Sequence, residues 1–449
     1  MNFYTLLTKR AAEGKICRVG VIGMGKFASM FASQVRGIPG MQLLGVADLS
    51  PQKARDAFAR IPWDAELYAA ASLEDAAKKG TTCILDDAMK LIASPFIDII
   101  VDSTGSPDAT IPHVLACCEH KKHVIMVTVE ADAVAGPYLV KKAKEAGIIY
   151  SLAYGDQPAE ICELVDWART SGFEVVAAGK GTKYLPGYHQ STPETIWEYF
   201  GMDPEVAKRG GLNAKMFNSF LDGTKAAVEM ASVANACDLH CNPDGLQFLP
   251  CGVDDLHSLI IPESAGGLLP LNGQVEIVSS EERDGRHVFR DLRYGVYVVF
   301  KANSEYQKNC FEEYKFLTDK TGMYSSLYRP NHMIGLELAL SIATIAVHSE
   351  ATGAPTVFNA DVVATAKKDL AVGDMLDGEG GYAVYGKLQP AKHSLAIGGV
   401  PLGLANHLKL INPIKAGQPV TWNDVVAKED NTATKVRKEM EAYYKNGGK

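Results

Sequence analysis

Short apolar runs alternate with amphipathic stretches from residue 18 to residue 178. Runs that are apolar throughout are typical of strands buried on both faces, and apolar residues at intervals of three and four are typical of helices. The pattern predicts strands at 18–22, 42–47, 97–101, 123–127, 148–151 and 174–178. It predicts helices at 26–35, 51–59, 73–78, 86–92, 108–119, 132–146 and 158–170. Strands that alternate with helices form a parallel sheet covered on both faces, so we expect a doubly wound α/β fold of six strands.

The first predicted strand runs directly into a glycine-rich turn that opens a helix. Gly23, Gly25 and Ala28 have the spacing Gly-x-Gly-x-x-Ala. In a dinucleotide-binding turn, the first glycine permits the bend, the second lets the backbone approach a pyrophosphate, and a small third residue keeps the helix close to the sheet. The second strand ends at Asp48, about 20 residues farther on, where a carboxylate accepts hydrogen bonds from ribose hydroxyls. The turn therefore predicts an NAD or NADP site.

Two later strands end in small or polar residues at the same edge of the predicted sheet. These residues suit contact with a cofactor, although turn chemistry alone also explains them. The predicted cofactor-binding residues are Gly23, Gly25, Lys26, Phe27, Asp48, Thr104, Gly105 and Glu130. Asp48 favours NAD because a carboxylate repels a 2′-phosphate, but the nearby Lys53 and Arg55 leave NADP open.

Beyond residue 178 the alternation stops, and a loop broken by glycine and proline follows. Its Lys180, Lys183 and His189 suit an anionic substrate, and a solvated loop is the alternative. The segment 328–332 predicts the start of a helix with Pro330 in its first turn. There Arg329 suits bidentate recognition of phosphate or carboxylate, with a structural salt bridge as the alternative, and His332 lies near the helix N-terminus.

A single long helix is predicted over 212–235, with a polar stripe along one face. The stripe residues recur at steps of three and four and are Lys215, Asn218, Asp222, Lys225 and Glu229. The stripe has two explanations, a solvated face with local ion pairs or the lining of a polar active site. Apolar residues cover more than half of the circumference, which favours the active site. A carboxylate flanked by ammonium groups can polarise a carbonyl and move a proton, so we expect Lys215, Asp222 and Lys225 to be catalytic and Asn218 to bind substrate.

Composition narrows the class of protein. The 449 residues are 47% hydrophobic, 22% charged and carry a formal net charge of -8, which is typical of a globular chain and argues against general nucleic-acid binding. The nine cysteines show no disulfide framework, and Cys237 and His240–Cys241 lack a second ligand pair for zinc. No apolar run is long enough to span a bilayer, and the first residues do not form a signal peptide, so we expect a cytoplasmic protein. The apolar stretch 333–347 predicts a helix in the core or at a subunit contact, and we expect a homo-oligomer.

From residue 361 onward the composition changes again. The segments 366–381 and 410–425 each pair a short strand with a lysine- and glycine-containing turn, which predicts a small β-rich module followed by a charged helix in 430–449. The predicted division is a nucleotide domain at 1–172, an α+β substrate domain at 173–355 and the β-rich module at 356–449.

The chain resembles the 1-deoxy-D-xylulose 5-phosphate reductoisomerase-like (DRL) family, oxidoreductases with a homoserine-dehydrogenase-like nucleotide domain and a C-terminal SAF-type module. The resemblance covers nearly the full length and rests on the motifs at 21–27, 47–51, 154–158, 179–186, 213–220 and 415–417. It implies NADPH-dependent conversion of 1-deoxy-D-xylulose 5-phosphate into 2-C-methyl-D-erythritol 4-phosphate. The reaction needs a phosphate anchor, for which Lys180, Lys183, His189, Arg329 and His332 are the candidates. The carboxylate-rich metal site of ordinary reductoisomerases is not found in this sequence, so a metal requirement stays unknown.

Two other functions fit the same pattern. One is a plain NAD(P) dehydrogenase of a homoserine-like or sugar-acid substrate, and the other is a nucleotide-sensing protein without turnover. A sensor has no need of Lys215, Asp222 and Lys225 on one buried face, which favours the enzymes.

Overall fold

The computed structural model describes residues 2–209 and 212–448. Its α-helices, in chain order, are α1 Phe3–Ala12, α2 Lys26–Val35, α3 Pro51–Ala59, α4 Leu73–Lys79, α5 Ala88–Ala93, α6 Pro107–Glu119, α7 Val129–Ala146, α8 Gln157–Thr170, α9 Ile196–Phe200, α10 Pro204–Arg209, α11 Ala214–Leu221, α12 Thr224–Cys237, α13 Leu256–Leu259, α14 Glu305–Glu313, α15 Ala339–His348, α16 Ala391–Ile397 and α17 Thr432–Lys445. Its β-strands are β1 Cys17–Ile22, β2 Met41–Ala47, β3 Cys83–Leu85, β4 Ile99–Asp102, β5 His123–Met126, β6 Tyr150–Leu152, β7 Glu174–Thr182, β8 Leu249–Pro250, β9 Gln274–Ser279, β10 Val296–Lys301, β11 Tyr324–Arg329, β12 Ala360–Ala366, β13 Met375–Asp377, β14 Val384–Pro390 and β15 Asn406–Lys409.

Contacts along the chain group it into two compact units. The first contains residues 1–160 and 333–356, and the second contains 161–332 and 357–449. The three-part division expected from the sequence stays a prediction. Within the described ranges, none of the helices is long and apolar enough to cross a membrane.

The first unit is built on a six-stranded parallel sheet in the order β3-β2-β1-β4-β5-β6. This is the order of a doubly wound dinucleotide fold, and it confirms the predicted fold class. The helices of this region also lie where the apolar spacing places them, α2 and α3 at the predicted bounds. One strand of the sheet was assigned wrongly, because β3 completes it and the predicted strand 174–178 does not belong to it. β3 has only three residues, too few for a period to be visible.

A distant segment of the chain completes this first unit. Leu338, which precedes helix α15, and Ile342 and Ile345 within it belong to the same apolar core as residues of β1 and α2. The backbone N–H of Leu152 donates to the Gly353 carbonyl at 2.8 Å, so the returning segment also pairs with the last strand of the sheet. The apolar stretch 333–347 is therefore core, although the helix begins only at Ala339.

The second unit contains a mixed sheet in the order β11-β10-β7-β9-β8. β7, the strand expected in the nucleotide sheet, lies at its centre, parallel to β9 and antiparallel to β10. The predicted helix start at 328–332 is also wrong, since β11 occupies 324–329. Tyr324 and Tyr328 lie on one face of β11 and pack on the apolar cluster under the sheet. A spacing of four residues fits a helix as well as a strand, so the sequence pattern did not distinguish them.

The long helix predicted over 212–235 is in fact two helices, α11 and α12, separated at Asp222 and Gly223. Gly223 adopts φ +89°, a left-handed conformation that interrupts a helix and that glycine adopts without steric cost. The Asp222 carboxylate then accepts from the Thr224 backbone N–H at 2.9 Å, at the start of α12. The polar stripe therefore does not run along one continuous face.

The C-terminal part contains the charged helix that was expected and a short strand, β13, within the predicted segment 366–381, whereas none of the named strands lies within 410–425. β12 pairs with β14 and β13 pairs with β15, both antiparallel, and α17 follows. Helix α12 of the same unit packs against β12 and β14.

Candidate functional site

The glycine turn after β1 has the geometry of an anion-binding helix start. Gly23 has φ +86°, and a Cβ there would lie 2.8 Å from the Ser103 carbonyl oxygen, so no larger residue fits. Gly25 is the N-cap of α2, no side chain caps the helix, and a Cβ at Gly25 would meet nothing within 4 Å. The first N–H groups of α2, those of Lys26 and Phe27 among them, are therefore left for a ligand. These residues fit the pyrophosphate of a dinucleotide.

Asp48 is held against this turn by the backbone. Its Oδ2 accepts from the Met24 N–H and its Oδ1 from the Ser50 N–H, both at 2.9 Å. A carboxylate oxygen has a second lone pair, so each oxygen retains one for a ribose hydroxyl. A carboxylate fixed at this place is positioned to accept hydrogen bonds from the ribose of a bound dinucleotide.

The predicted contacts at Thr104 and Gly105 lie in a loop organised by the buried Asp102. Asp102 Oδ1 accepts from the hydroxyls of Thr104, Thr110 and Thr128 at 3.1, 2.7 and 2.9 Å. The Gly105 N–H donates to Thr128 Oγ1 at 3.0 Å, and Gly105 has φ +69°. Glu130 lies nearby in sequence, buried in the first turn of α7. Asp102 directly follows the predicted strand 97–101 and is not among the predicted cofactor contacts, yet its carboxylate organises this edge of the sheet.

In the second unit, the charges of three predicted residues act on the buried carboxylate of Glu229, for which the sequence predicted no role. Glu229, buried on α12, forms an ion pair with Lys180 of β7. Burial opposes ionisation of Glu229, but Lys180, Lys225 and His332 outweigh it and hold the pKa of this carboxyl below its usual value. Glu229 lies four residues after Lys225 on the predicted polar stripe, so the sequence already indicated that the two side chains are close. We call Lys180, Lys225, Glu229 and His332 the Glu229 cluster.

The tautomer of His332 follows from its neighbour. Its Nδ1 lies 2.7 Å from the Tyr294 carbonyl oxygen, and a carbonyl only accepts, so Nδ1 carries a proton. In the neutral ring Nε2 is then an acceptor, available to take a proton from a substrate.

A second set of predicted residues lies together but serves the architecture. Asp222 is fully buried and its Oδ2 pairs with Lys367 at 2.6 Å. His189 Nδ1–H donates to the Asp222 carbonyl oxygen at 2.6 Å, and burial lowers the pKa of this imidazole. Asn218 donates to the carbonyls of Gly380 and Gly381 at 2.9 and 3.1 Å. These contacts engage the side chains with the protein itself, so the structure favours positioning roles for them.

The remaining predicted residues of this unit lie elsewhere. Lys183 Nζ donates to the Tyr199 carbonyl at 2.9 Å, and the exposed Lys215 donates to the Asp377 carbonyl at 3.2 Å. Arg329 ends strand β11. As for a metal, the described parts of the chain contain no group of three His, Cys, Asp or Glu that could hold an ion.

Two family models match parts of the chain. Residues 19–152 match the homoserine dehydrogenase NAD-binding domain, and residues 155–338 match the catalytic domain of oxidoreductase DRL. The chain therefore combines an NAD-binding domain with a catalytic domain of the oxidoreductase type. The first match contains the glycine turn and Asp48, and the second contains the whole Glu229 cluster. The reductoisomerase reaction and the SAF-type module lie beyond these matches and stay predictions.

Several solved structures are similar to part of this chain. The WlbA dehydrogenase from Chromobacterium violaceum, solved with NADH and UDP-GlcNAcA, is 17% identical over 38% of this chain and 44% of its own, with a TM-score of 0.27. The WlbA dehydrogenase from Bordetella pertussis is 16% identical over 38% and 49%, with a TM-score of 0.27, so this chain spans less than half of either dehydrogenase. An NAD-binding oxidoreductase from Klebsiella pneumoniae is 15% identical over 72% and 67%, with a TM-score of 0.30. No curated protein matches the chain.

Proposed function

We propose that the oxidoreductase is a reductoisomerase that converts 1-deoxy-D-xylulose 5-phosphate into 2-C-methyl-D-erythritol 4-phosphate. The observation that carries the proposal is the Glu229 cluster, which lies within the region matching the DRL catalytic domain. Lys180 pairs with Glu229, and Lys225 and His332 also favour its ionised form, so two ammonium groups act on one carboxylate and the cluster has an excess of positive charge. Such a site suits a phosphorylated substrate.

The chemistry requires two proton movements and a hydride. In the first stage one carbon–carbon bond breaks and another forms, a substrate hydroxyl loses its proton and becomes the carbonyl of an aldehyde, and the former ketone oxygen gains a proton. In the second stage the aldehyde carbon receives a hydride, which bound NAD(P)H would supply, and its oxygen receives a second proton, which comes from water. His332 Nε2 can take and return the proton, and the ammonium groups of Lys180 and Lys225 stabilise the oxyanion.

Glu229 has a specific part in this scheme. Its ion pair with Lys180 compensates the buried carboxylate charge and holds the lysine ammonium group in place. We propose NADH as the preferred hydride donor, because Asp48 is fixed by two backbone N–H groups. This differs from the NADPH that the family resemblance implies.

The test is an assay of the full chain with 1-deoxy-D-xylulose 5-phosphate and either NADH or NADPH, followed by nicotinamide absorbance and by mass spectrometry of the product. We expect turnover by the wild type, and losses of kcat/KM of about 10²-fold or more in Lys180→Met and Glu229→Gln. Lys415→Met is the matched control, since Lys415 forms an exposed ion pair with Asp369 at 2.7 Å and should lose nothing measurable.

One result would overturn the proposal. A wild-type protein that is inert toward the deoxyxylulose phosphate but oxidises homoserine with NAD would be a plain dehydrogenase, the alternative left open by the sequence.

A further inference from the structure

Lys367 follows β12 and is fully buried, yet it is far in sequence from the Glu229 cluster. Its Nζ donates to Asp222 Oδ2 at 2.6 Å, to the Ser191 carbonyl at 2.9 Å and to the Gly381 carbonyl at 2.9 Å. An ammonium group has three N–H donors, so all of them are used within the protein. The Lys367 ammonium group therefore joins three segments of the chain and has no N–H donor left for a ligand. We call this set of contacts the junction.

The junction continues directly into the helix that bears the cluster. Asp222 receives Lys367 on Oδ2 and the Thr224 backbone N–H on Oδ1 at 2.9 Å. The Thr224 hydroxyl in turn accepts from the Gly386 N–H of β14 at 2.9 Å. Lys225 is the next residue, and Glu229 lies about one helical turn beyond it. The start of α12 is therefore set by residues from the C-terminal part of the chain.

The other end of α12 is held by the same part of the chain. Asn235 Oδ1 accepts from the N–H groups of Asn359 and Ala360 at 2.8 and 2.9 Å, and its Nδ2 donates to the Ala360 carbonyl at 3.0 Å. Between the two ends, α12 packs on β12 and β14. Residues 357–390 therefore grip the helix at both termini and along its length.

We propose that residues 357–390 form a clamp that fixes α12 for catalysis, and that Lys367 is its principal positioning residue. The inference rests on the catalytic role proposed for the Glu229 cluster. A methionine could fill the volume of Lys367 without the desolvation that a buried charge suffers. The ammonium group adds directional hydrogen bonds, because acceptors from three segments must converge on one nitrogen. These bonds fix the positions of the three segments relative to one another. A clamp matters to an enzyme whose reacting groups lie on the clamped helix, since small displacements of such groups cost much of the rate.

The test compares Lys367→Met with Leu256→Ala, a control buried in the apolar cluster under the mixed sheet and outside the clamp. Both variants should lower the thermal midpoint. We expect Lys367→Met to lower kcat about 10- to 100-fold, to alter its pH profile, and to raise amide exchange at 224–229, with NADH affinity unchanged. Leu256→Ala should keep the wild-type kcat, pH profile and exchange at these amides. Thr224→Val removes one hydrogen-bond acceptor of the clamp and keeps the shape of the side chain. We expect it to show the same changes more weakly, and it replaces Lys367→Met in the test if that variant does not fold.

Wild-type kcat and wild-type exchange at 224–229 in a folded Lys367→Met protein would overturn the proposal, and Lys367 would then only stabilise the fold. The exchange measurement separates this failure from failure of the proposed function. If the wild type does not turn over the deoxyxylulose phosphate, faster exchange in Lys367→Met but not in Leu256→Ala still supports the clamp, and unchanged exchange rejects it.

Discussion

Glu229 and Glu276 are both buried carboxyls of the second unit, and their surroundings shift their pKa values in opposite directions. Burial disfavours the charged form of each, but Glu229 has Lys180 beside it and its pKa is lowered. At Glu276 burial outweighs the backbone N–H groups of Ile277, Gln247 and Phe248 and the charge of Arg283, and raises the pKa of this carboxyl to about 7. The ion pair with Lys180 therefore decides which of the two stays charged.

Glu276 predicts a loss of stability as the pH rises. The pKa of Glu276 is about 7 in the folded protein, against an ordinary value of 4.5. Below pH 4.5 the carboxyl is protonated in both states, so it costs no stability. As the pH rises to about 7 the unfolded chain loses this proton first, and the free energy of unfolding falls by about 3 kcal/mol. Glu276→Gln keeps an oxygen acceptor for the N–H groups and cannot ionise, so it should lack this loss. Urea unfolding at several pH values measures the difference. Parallel stability profiles for the variant and the wild type would contradict it.

Asp48 predicts the choice of coenzyme. Both of its oxygens accept from backbone N–H groups, so the wild type should have a higher kcat/KM with NADH than with NADPH. Asp48→Ser removes the charge beside the 2′ position and should shift the ratio toward NADPH by about 10-fold or more. Steady-state kinetics with both coenzymes measure the ratio. A wild type that prefers NADPH would show that Asp48 does not face the ribose as we infer.

At the scale of elements, the break between α11 and α12 decides what the polar stripe can do. In an unbroken helix, Lys215 and Glu229 would share one face, but the turn at Gly223 separates Lys215 from the Glu229 cluster. A Cβ at Gly223 would lie 3.1 Å from His189 Cε1 and 3.1 Å from Phe248 Cζ. The break is thus held by its left-handed backbone and by close packing.

Gly223→Ala tests this break against Gly266→Ala. Both glycines have a positive φ, +89° and +93°, but a Cβ at Gly266 would meet nothing within 4 Å. We expect a loss of about 1 kcal/mol in the free energy of unfolding for Gly266→Ala from backbone strain, and about 1 to 3 kcal/mol more for Gly223→Ala from overpacking. Gly223→Ala should also lower kcat, because α12 bears Lys225 and Glu229. If denaturant unfolding gives equal losses in the free energy of unfolding for the two variants, His189 and Phe248 can move aside for the added methyl group without loss of stability.

At the scale of the whole molecule, the nucleotide-binding unit is not a continuous stretch of chain. Residues 333–356 return to it after the second unit, add Leu338, Ile342 and Ile345 to its core, and pair with β6 through Gly353. Burial of three such side chains is worth about 5 kcal/mol or more, which is comparable to the entire stability of many domains.

A fragment ending at residue 172, the boundary expected from the sequence, should therefore be unstable. It should show a broad thermal transition by circular dichroism and weak NADH binding by fluorescence. Joining residues 333–356 to it through a flexible glycine–serine linker should restore a cooperative transition and binding. A cooperative 1–172 fragment that binds NADH as the full chain does would show that the returning segment adds little.

The sequence alone determined the features that depend on short-range patterns. The strand and helix periods, the turn at Gly23 and Gly25, and the position of Asp48 predicted the nucleotide fold and its cofactor class, because each lies within one strand–turn–helix unit. Only the tertiary structure decided that β7 lies in the second sheet, that Lys180 meets Glu229, and that Lys367 engages Asp222. These pairings join residues far apart in the chain. They depend on which buried charges form ion pairs and which strands form hydrogen bonds with each other in the folded protein. No local period carries that information.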